Sequence, residues 1–152
     1  MWLVPDLRYF EDFRAGQVFD TPDRPVSGEE VVAFAQAFDP QYFHTDPASA
    51  AGSVFGGHVA SGWHTAALTM RLWVDHGPPV ADGIIGLGAD ELRWGPLHPG
   101  DRIRVVGEVL DTRASRSGAP RGVVRIRLRT LNQDDDEVQH MIASILVPTR
   151  ST

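Results

Sequence analysis

The sequence predicts an α+β fold, with an antiparallel sheet of about five strands wrapped around one long central helix. Two observations carry that expectation. Helical periodicity is confined to the first half of the chain and period-two alternation to the second, a segregation typical of α+β proteins. In addition, the segment from about Ser61 to Asp75 reads as a helix with apolar residues on almost every face: Trp63, Ala66, Ala67, Leu68, Met70, Leu72, Trp73 and Val74. A helix that is apolar nearly all round is expected to be surrounded.

The elements follow in order. Residues 9–26 read as an extended entry and a first strand. Ser27 and Glu30 form a capping-box pattern, and Val31, Phe34, Ala35 and Phe38 behind it fall at helical spacing. Pro40 pushes Asp39 out of the helical region and stops that helix. Asp46-Pro47 supplies an N-cap and a proline at the first helical position of the next one. Residues 39–46 are therefore expected to be a short, stiff connection. Phe55-Gly56-Gly57 breaks the chain before the long helix, and Gly77-Pro78-Pro79 ends it. Four strands then alternate with period two: Ile84–Trp94, Arg102–Arg113, Val123–Leu131 and Val138–Val147. Pro99-Gly100-Asp101, Ser117-Gly118-Ala119-Pro120 and the stretch from Asn132 to Asp136 supply the turns.

Composition narrows the function. At 152 residues the chain is read as one domain, 1–152. Cysteine is absent, which excludes disulfides, thiolate metal sites and cysteine nucleophiles. No run of about 18 apolar residues exists to span a membrane, and Met1–Asp6 lacks a secretory pattern, so a cytoplasmic protein is expected. The net charge of −6 argues against nucleic acid and anionic membranes as partners. That charge is uneven. Residues 101–129 carry +5 and the remainder −11, and every basic residue is arginine.

Two segments could carry chemistry. Asp39-Pro40-Gln41-Tyr42-Phe43-His44 places a carboxylate and an imidazole on one short loop, a pair able to share a water or a substrate proton. Phe55 to Thr65 feeds a glycine-rich turn into the N-terminus of the long helix, where Gly62 leaves the backbone open to a ligand. Free N–H groups at such a terminus favour a carbonyl oxygen that gains negative charge. Each segment also has a plain structural explanation, turn capping for the first and packing for the second.

Together they resemble the MaoC-like dehydratase family, hot-dog-fold proteins that include (R)-specific enoyl-CoA hydratases. The resemblance runs through Tyr9-Phe10-Glu11-Asp12-Phe13 and Gly16, peaks in Phe38 to His44, and continues from Phe55 to Thr65. It resumes at Leu92-Arg93-Trp94 and at Pro99-Gly100-Asp101-Arg102-Ile103. It implies that Asp39 and His44 are the catalytic pair and that the Gly62 N–H faces the thioester oxygen. The implied activity is hydration of an enoyl-CoA or dehydration of a 3-hydroxyacyl thioester, with coenzyme A only as part of the substrate and no other cofactor. Coenzyme A and acyl-carrier-protein thioesters both remain open as substrates. The family pattern often has asparagine where Gln41 stands and a proline one place later than Pro40, which bears on substrate preference. The resemblance also implies a pair of units, more simply a homodimer. A non-catalytic thioester-binding or dimer-partner subunit, or a hot-dog thioesterase, are the competing readings.

Remaining signals are weaker. Arg125 and Arg127 alternate with apolar residues, which fits either a solvated sheet face or contacts to coenzyme A phosphates. His44, His58 and His64 lack metal-ligand spacing, so no metal is expected; His64 is expected at a pocket mouth or on a backbone carbonyl.

Overall fold

A computed structural model describes residues 6–151; the N-terminal pattern read at residues 1–5 lies outside them. The segment expected to be one extended entry and strand divides in three: a 3-10 turn at Phe10–Asp12, β1 (Val18–Asp20) and β2 (Arg24–Pro25). Helix α1 (Gly28–Phe38) starts as its sequence dictates, with Ser27 Oγ accepting from the Glu30 N–H and Glu30 reaching back to the Ser27 N–H. It ends at Asp39, outside the helical region at φ −150° and ψ 69°.

The connection between the helices is less plain than expected. Tyr42–Thr45 form a helical turn, α2, and Pro47–Ala50 form α3, capped by the Asp46 carboxylate. Gln41 accepts from the His44 and Thr45 amides through its carbonyl, so one turn of helix fits between Pro40 and Asp46. Helix α4 runs from Gly62 to His76.

Four long strands then make the sheet: β3 (Ile85–Trp94), β4 (Arg102–Ala114), β5 (Arg121–Leu131) and β6 (Glu137–Pro148). The order is β1-β4-β5-β6-β3, antiparallel throughout, with β2 adding to β4. Alternation along β4 and β5 turns Val105, Val109, Val124, Ile126 and Leu128 inward, where they bury against Leu68, Leu72 and Trp73 of α4. Each such side chain contributes about 1.5–3 kcal/mol on burial.

A polar chain crosses this core. Gln139, fully buried, accepts from Trp94 Nε1 at 2.8 Å and donates to Thr69 Oγ1 at 3.3 Å, and Thr69 meets Thr130 Oγ1 at 2.6 Å. Buried polar groups persist where every member is satisfied. Here the network fixes the Trp94 indole from inside.

The sheet covers only part of α4. Trp63, Met70 and Val74 are exposed, as are Ile85 and Leu87 of the edge strand β3. Ala66, Met70 and Trp73 face Gly86, Gly88 and Ala89 of β3 across an apolar cavity of about 500 Å³. The expectation of a helix surrounded on all sides therefore fails for the single chain: small residues on β3 leave one flank of α4 open. No helix of the described residues is long and apolar enough to cross a membrane.

Candidate functional site

Asp39 and His44 are brought together at the end of α1. The Nε2 atom of His44 lies 3.3 Å from Asp39 Oδ2. On the other side of the ring, Nδ1 lies 2.7 Å from the Val59 carbonyl. A carbonyl can only accept, so Nδ1 carries a hydrogen, and in the neutral form of the ring the Nε2 lone pair turns toward Asp39. Two acceptors then face one another, and a water between them can donate one hydrogen to each.

The surroundings keep that pair fixed. His44 is 6% exposed, its ring set edge-on against Phe43. His58 Nε2 donates to the His44 carbonyl at 2.6 Å. Gln41 Nε2 donates to Asp39 Oδ1 at 2.7 Å, leaving Oδ2 for the His44 side. Partial burial pushes the Asp39 carboxyl up. Hydrogen bonding from Gln41, the nearby Ser61 hydroxyl and, when the His44 ring is protonated, its charge outweigh it and hold the group below its ordinary range. Gln41, which departs from the resembled pattern, is thus the residue that orients the carboxylate.

Gly62 opens α4. Its N-cap, Ser61, extends no side-chain hydrogen bond to the helix, so the first amides are not capped from within. The need for glycine is steric: a Cβ at Gly62 would overlap three atoms of the Trp94 indole ring. Asp39 and the α4 N-terminus share a neighbourhood, because Ser61 is close enough to favour the charged Asp39.

Arg125 and Arg127 lie elsewhere. They sit on the sheet face opposite α4, where Arg125 Nη1 meets Asp111 at 2.5 Å and Arg127 Nη1 meets Glu108 at 3.4 Å. The coenzyme A phosphate role expected of them meets two guanidinium groups already matched by carboxylates.

His64 departs from its expected place. It is 5% exposed, stacked on Phe34 with centroids 4.7 Å apart, and makes no bond to a backbone carbonyl through its ring. Burial lowers its basicity, and the Arg24 charge adds to this against the opposing pull of Glu30. Among the described residues, three buried side-chain polar atoms have no hydrogen-bond partner: Arg24 Nη1, Ser61 Oγ and His64 Nδ1. Of these residues the sequence alone assigns a place only to His64, at a pocket mouth or on a backbone carbonyl. The available signal was two polar residues, Ser61 and His64, at the start of an otherwise apolar helix.

Residues 12–130 match the family model described as MaoC like domain. The chain is 34% identical over 138 residues to the uncharacterized protein YdeM of Bacillus subtilis, covering 90% of this chain and 96% of that one. It superposes on the MaoC-like dehydratase from Rhodospirillum rubrum at a TM-score of 0.91 and 44% identity, over 95% and 99% of the two chains. The unliganded R-hydratase of Pseudomonas aeruginosa follows at 0.74 and 27%, over 93% and 86%. The sheet wrapped on one long helix is the hot-dog fold.

Proposed function

The chain belongs to the MaoC-like domain family, and from that premise we propose that it is an (R)-specific enoyl-CoA hydratase or 3-hydroxyacyl-thioester dehydratase. The observation that carries the reading is the Asp39–His44 pair, two facing acceptors beside the uncapped start of α4.

The chemistry follows from that placement. A water donates one hydrogen to Asp39 Oδ2 and the other to His44 Nε2. Asp39 takes its proton as the oxygen bonds to the β-carbon of the enoyl group. The electron pair of the double bond moves to the thioester oxygen, where the Gly62 N–H accommodates the growing charge. A proton returned from the Asp39–His44 pair to the α-carbon completes the addition, so that water is split across the double bond and the enzyme is regenerated. Dehydration is the reverse. Asp39 suits the base role because its neighbours keep it ionised.

The open flank of α4 supports a homodimer in which a second copy covers the apolar face formed by Trp63, Met70, Val74, Ile85 and Leu87. A face of this kind rarely stays exposed on a monomer. Sedimentation at micromolar concentration should give twice the chain mass.

Purified protein supplied with trans-2-enoyl-CoA substrates of several lengths should remove the conjugated thioester absorbance. Folded protein that hydrates none of them, while acyl-CoA raises its melting temperature, would move the assignment to a thioester-binding subunit. Release of free coenzyme A would move it to a thioesterase.

A further inference from the structure

The fold accounts for only half of the arginine-rich stretch. No acidic residue occurs between Asp111 and Asp134. Within that stretch Arg125, Arg127 and Arg129 reach outside it to Asp111, Glu108 and Glu137. Arg113, Arg116 and Arg121 do not. Among the described residues, no carboxylate lies within ion-pair distance of these three. All three line one cavity of about 370 Å³ at the β4–β5 hairpin, together with Ser115, Ser117 and Val123, a volume within the range of small-ligand pockets. Like charges gathered around one hollow repel each other, and an anion seated among them removes that repulsion.

The rest of the wall is polar and held in shape. Ser115 Oγ lies 2.9 Å from Ser117 Oγ. That bond uses one of the two hydroxyl hydrogens and leaves the other for a ligand. The Ser115 N–H donates to the Arg121 carbonyl, and the Thr149 N–H, just past β6, donates to the Pro120 carbonyl. Gly118, at φ +73°, turns the chain between them.

The cavity is remote from the catalytic pair. Arg121 and Val123 alternate with the buried Gly122 and Val124, so they face away from α4. Arg113, Val123, Leu146 and Ile85 form one row across the sheet, and Val105, Thr130, Gln139 and Trp94 another. From Val123 to Thr130 a strand rises about 23 Å. The second row is the one whose Trp94 covers Gly62. The neighbourhood of Asp39 and Gly62 therefore lies on the other face of the sheet and toward its other end.

We propose that Arg113, Arg116 and Arg121, with the two serine hydroxyls, form a binding site for an organic diphosphate that is not the thioester substrate. Charge selects the ligand class. A carboxylate brings one negative charge and a phosphate monoester about 1.5 to 2, whereas a terminal diphosphate approaches the three positive charges of the site. Its oxygens also suffice for more than one guanidinium fork, which pairs with phosphate through two parallel hydrogen bonds. The hairpin site stands whether or not the chain is a hydratase.

The test is calorimetric titration with ADP, AMP and inorganic diphosphate at low salt. ADP and inorganic diphosphate should bind, ADP about 10-fold tighter than AMP, since one charged hydrogen bond contributes about that factor. Added salt should weaken all three. Arg116→Gln and Arg121→Gln, both at exposed positions, should each weaken ADP by about 10-fold or more. Arg102→Gln, which removes the same charge at the opposite end of β4, should leave ADP binding unchanged. Absence of binding by ADP and diphosphate overturns the site. Equal weakening by all three variants also overturns it, in favour of a diffuse attraction for anions. A trans-2-enoyl-CoA and the matching enoyl-pantetheine separate the two sources of a diphosphate. A KM raised by Arg116→Gln for the coenzyme A thioester alone would assign the diphosphate to the substrate and refute a separate ligand. Unchanged KM for both, with weakened ADP binding, supports the proposal. If neither thioester is hydrated, the hydratase reading fails and the ADP titrations still decide the hairpin site.

Discussion

Replacing Gly62 by alanine tests packing and chemistry at one atom. The added methyl would overlap three atoms of the Trp94 indole, and the indole is not free to withdraw, because its Nε1–H is held by the buried Gln139. Two effects oppose each other. Alanine is a better helix former than glycine by up to about 1 kcal/mol, whereas an extra methyl forced into a packed contact costs about 1–3 kcal/mol. The net is a loss of up to about 2 kcal/mol, or a melting temperature lower by roughly 4–8 °C for a domain of this length. Any movement of α4 that relieves the overlap also displaces the Gly62 N–H. Loss of one such donor lowers kcat by about 10²–10³-fold. Thermal unfolding followed by circular dichroism gives the first number and enoyl-CoA hydration the second. A Gly62→Ala protein with unchanged melting temperature and unchanged rate would refute both the close approach of Trp94 and the role of the helix start.

Asp39→Asn should lower kcat by roughly 10²–10⁴-fold while leaving the circular dichroism spectrum unchanged, because the side chain keeps its shape and Gln41 can still pair with it. With the Asp39 carboxyl held below its ordinary range, the wild-type rate should persist on acidification until the pH falls below usual carboxylate values; a rate halved near neutrality would contradict this. Gln139→Leu should destabilise by about 1–3 kcal/mol through unmatched Trp94 and threonine groups, with a shifted tryptophan emission, and chemical denaturation would measure it. His64 has a folded-state pKa below its unfolded value, so the unfolded chain binds the extra proton and stability falls as pH drops below about 6.5. Urea unfolding at a series of pH values should show that slope in the wild type and a shallower one in His64→Leu.

How far the sequence discloses this molecule depends on the distance over which each feature is determined. The Ser27–Glu30 box, the Asp46-Pro47 cap and the four long strands are set by residues within a few places of each other, and they appear where the local pattern puts them. The Asp39–His44 contact is equally local, five residues apart on one loop. By contrast, the fit of Trp94 over Gly62, the burial of Gln139 and the three unpartnered atoms of Arg24, Ser61 and His64 involve residues far apart in the chain. They depend on strand register and on the height at which α4 crosses the sheet. The exposed flank of α4 is legible only once the small residues of β3 are known to lie opposite it. Arg125 and Arg127 read as a free cationic stripe because their partners, Asp111 and Glu108, come from another strand.

That stripe also bears on how the chain finds its pairing. Inward and outward alternation penalises a one-residue slip between β4 and β5 but is blind to a slip of two. In the native register Arg125 lies opposite Asp111 and Arg127 opposite Glu108, while Val123 faces Arg113 and Leu131 faces Arg104. A two-residue slip one way would set Arg125 against Arg113, and the other way Arg129 against Arg104. Either error places like charges face to face, which weakens a strand pair. Of these registers, only the native one matches Asp111 and Glu108 to arginines with no guanidinium facing another across the hairpin.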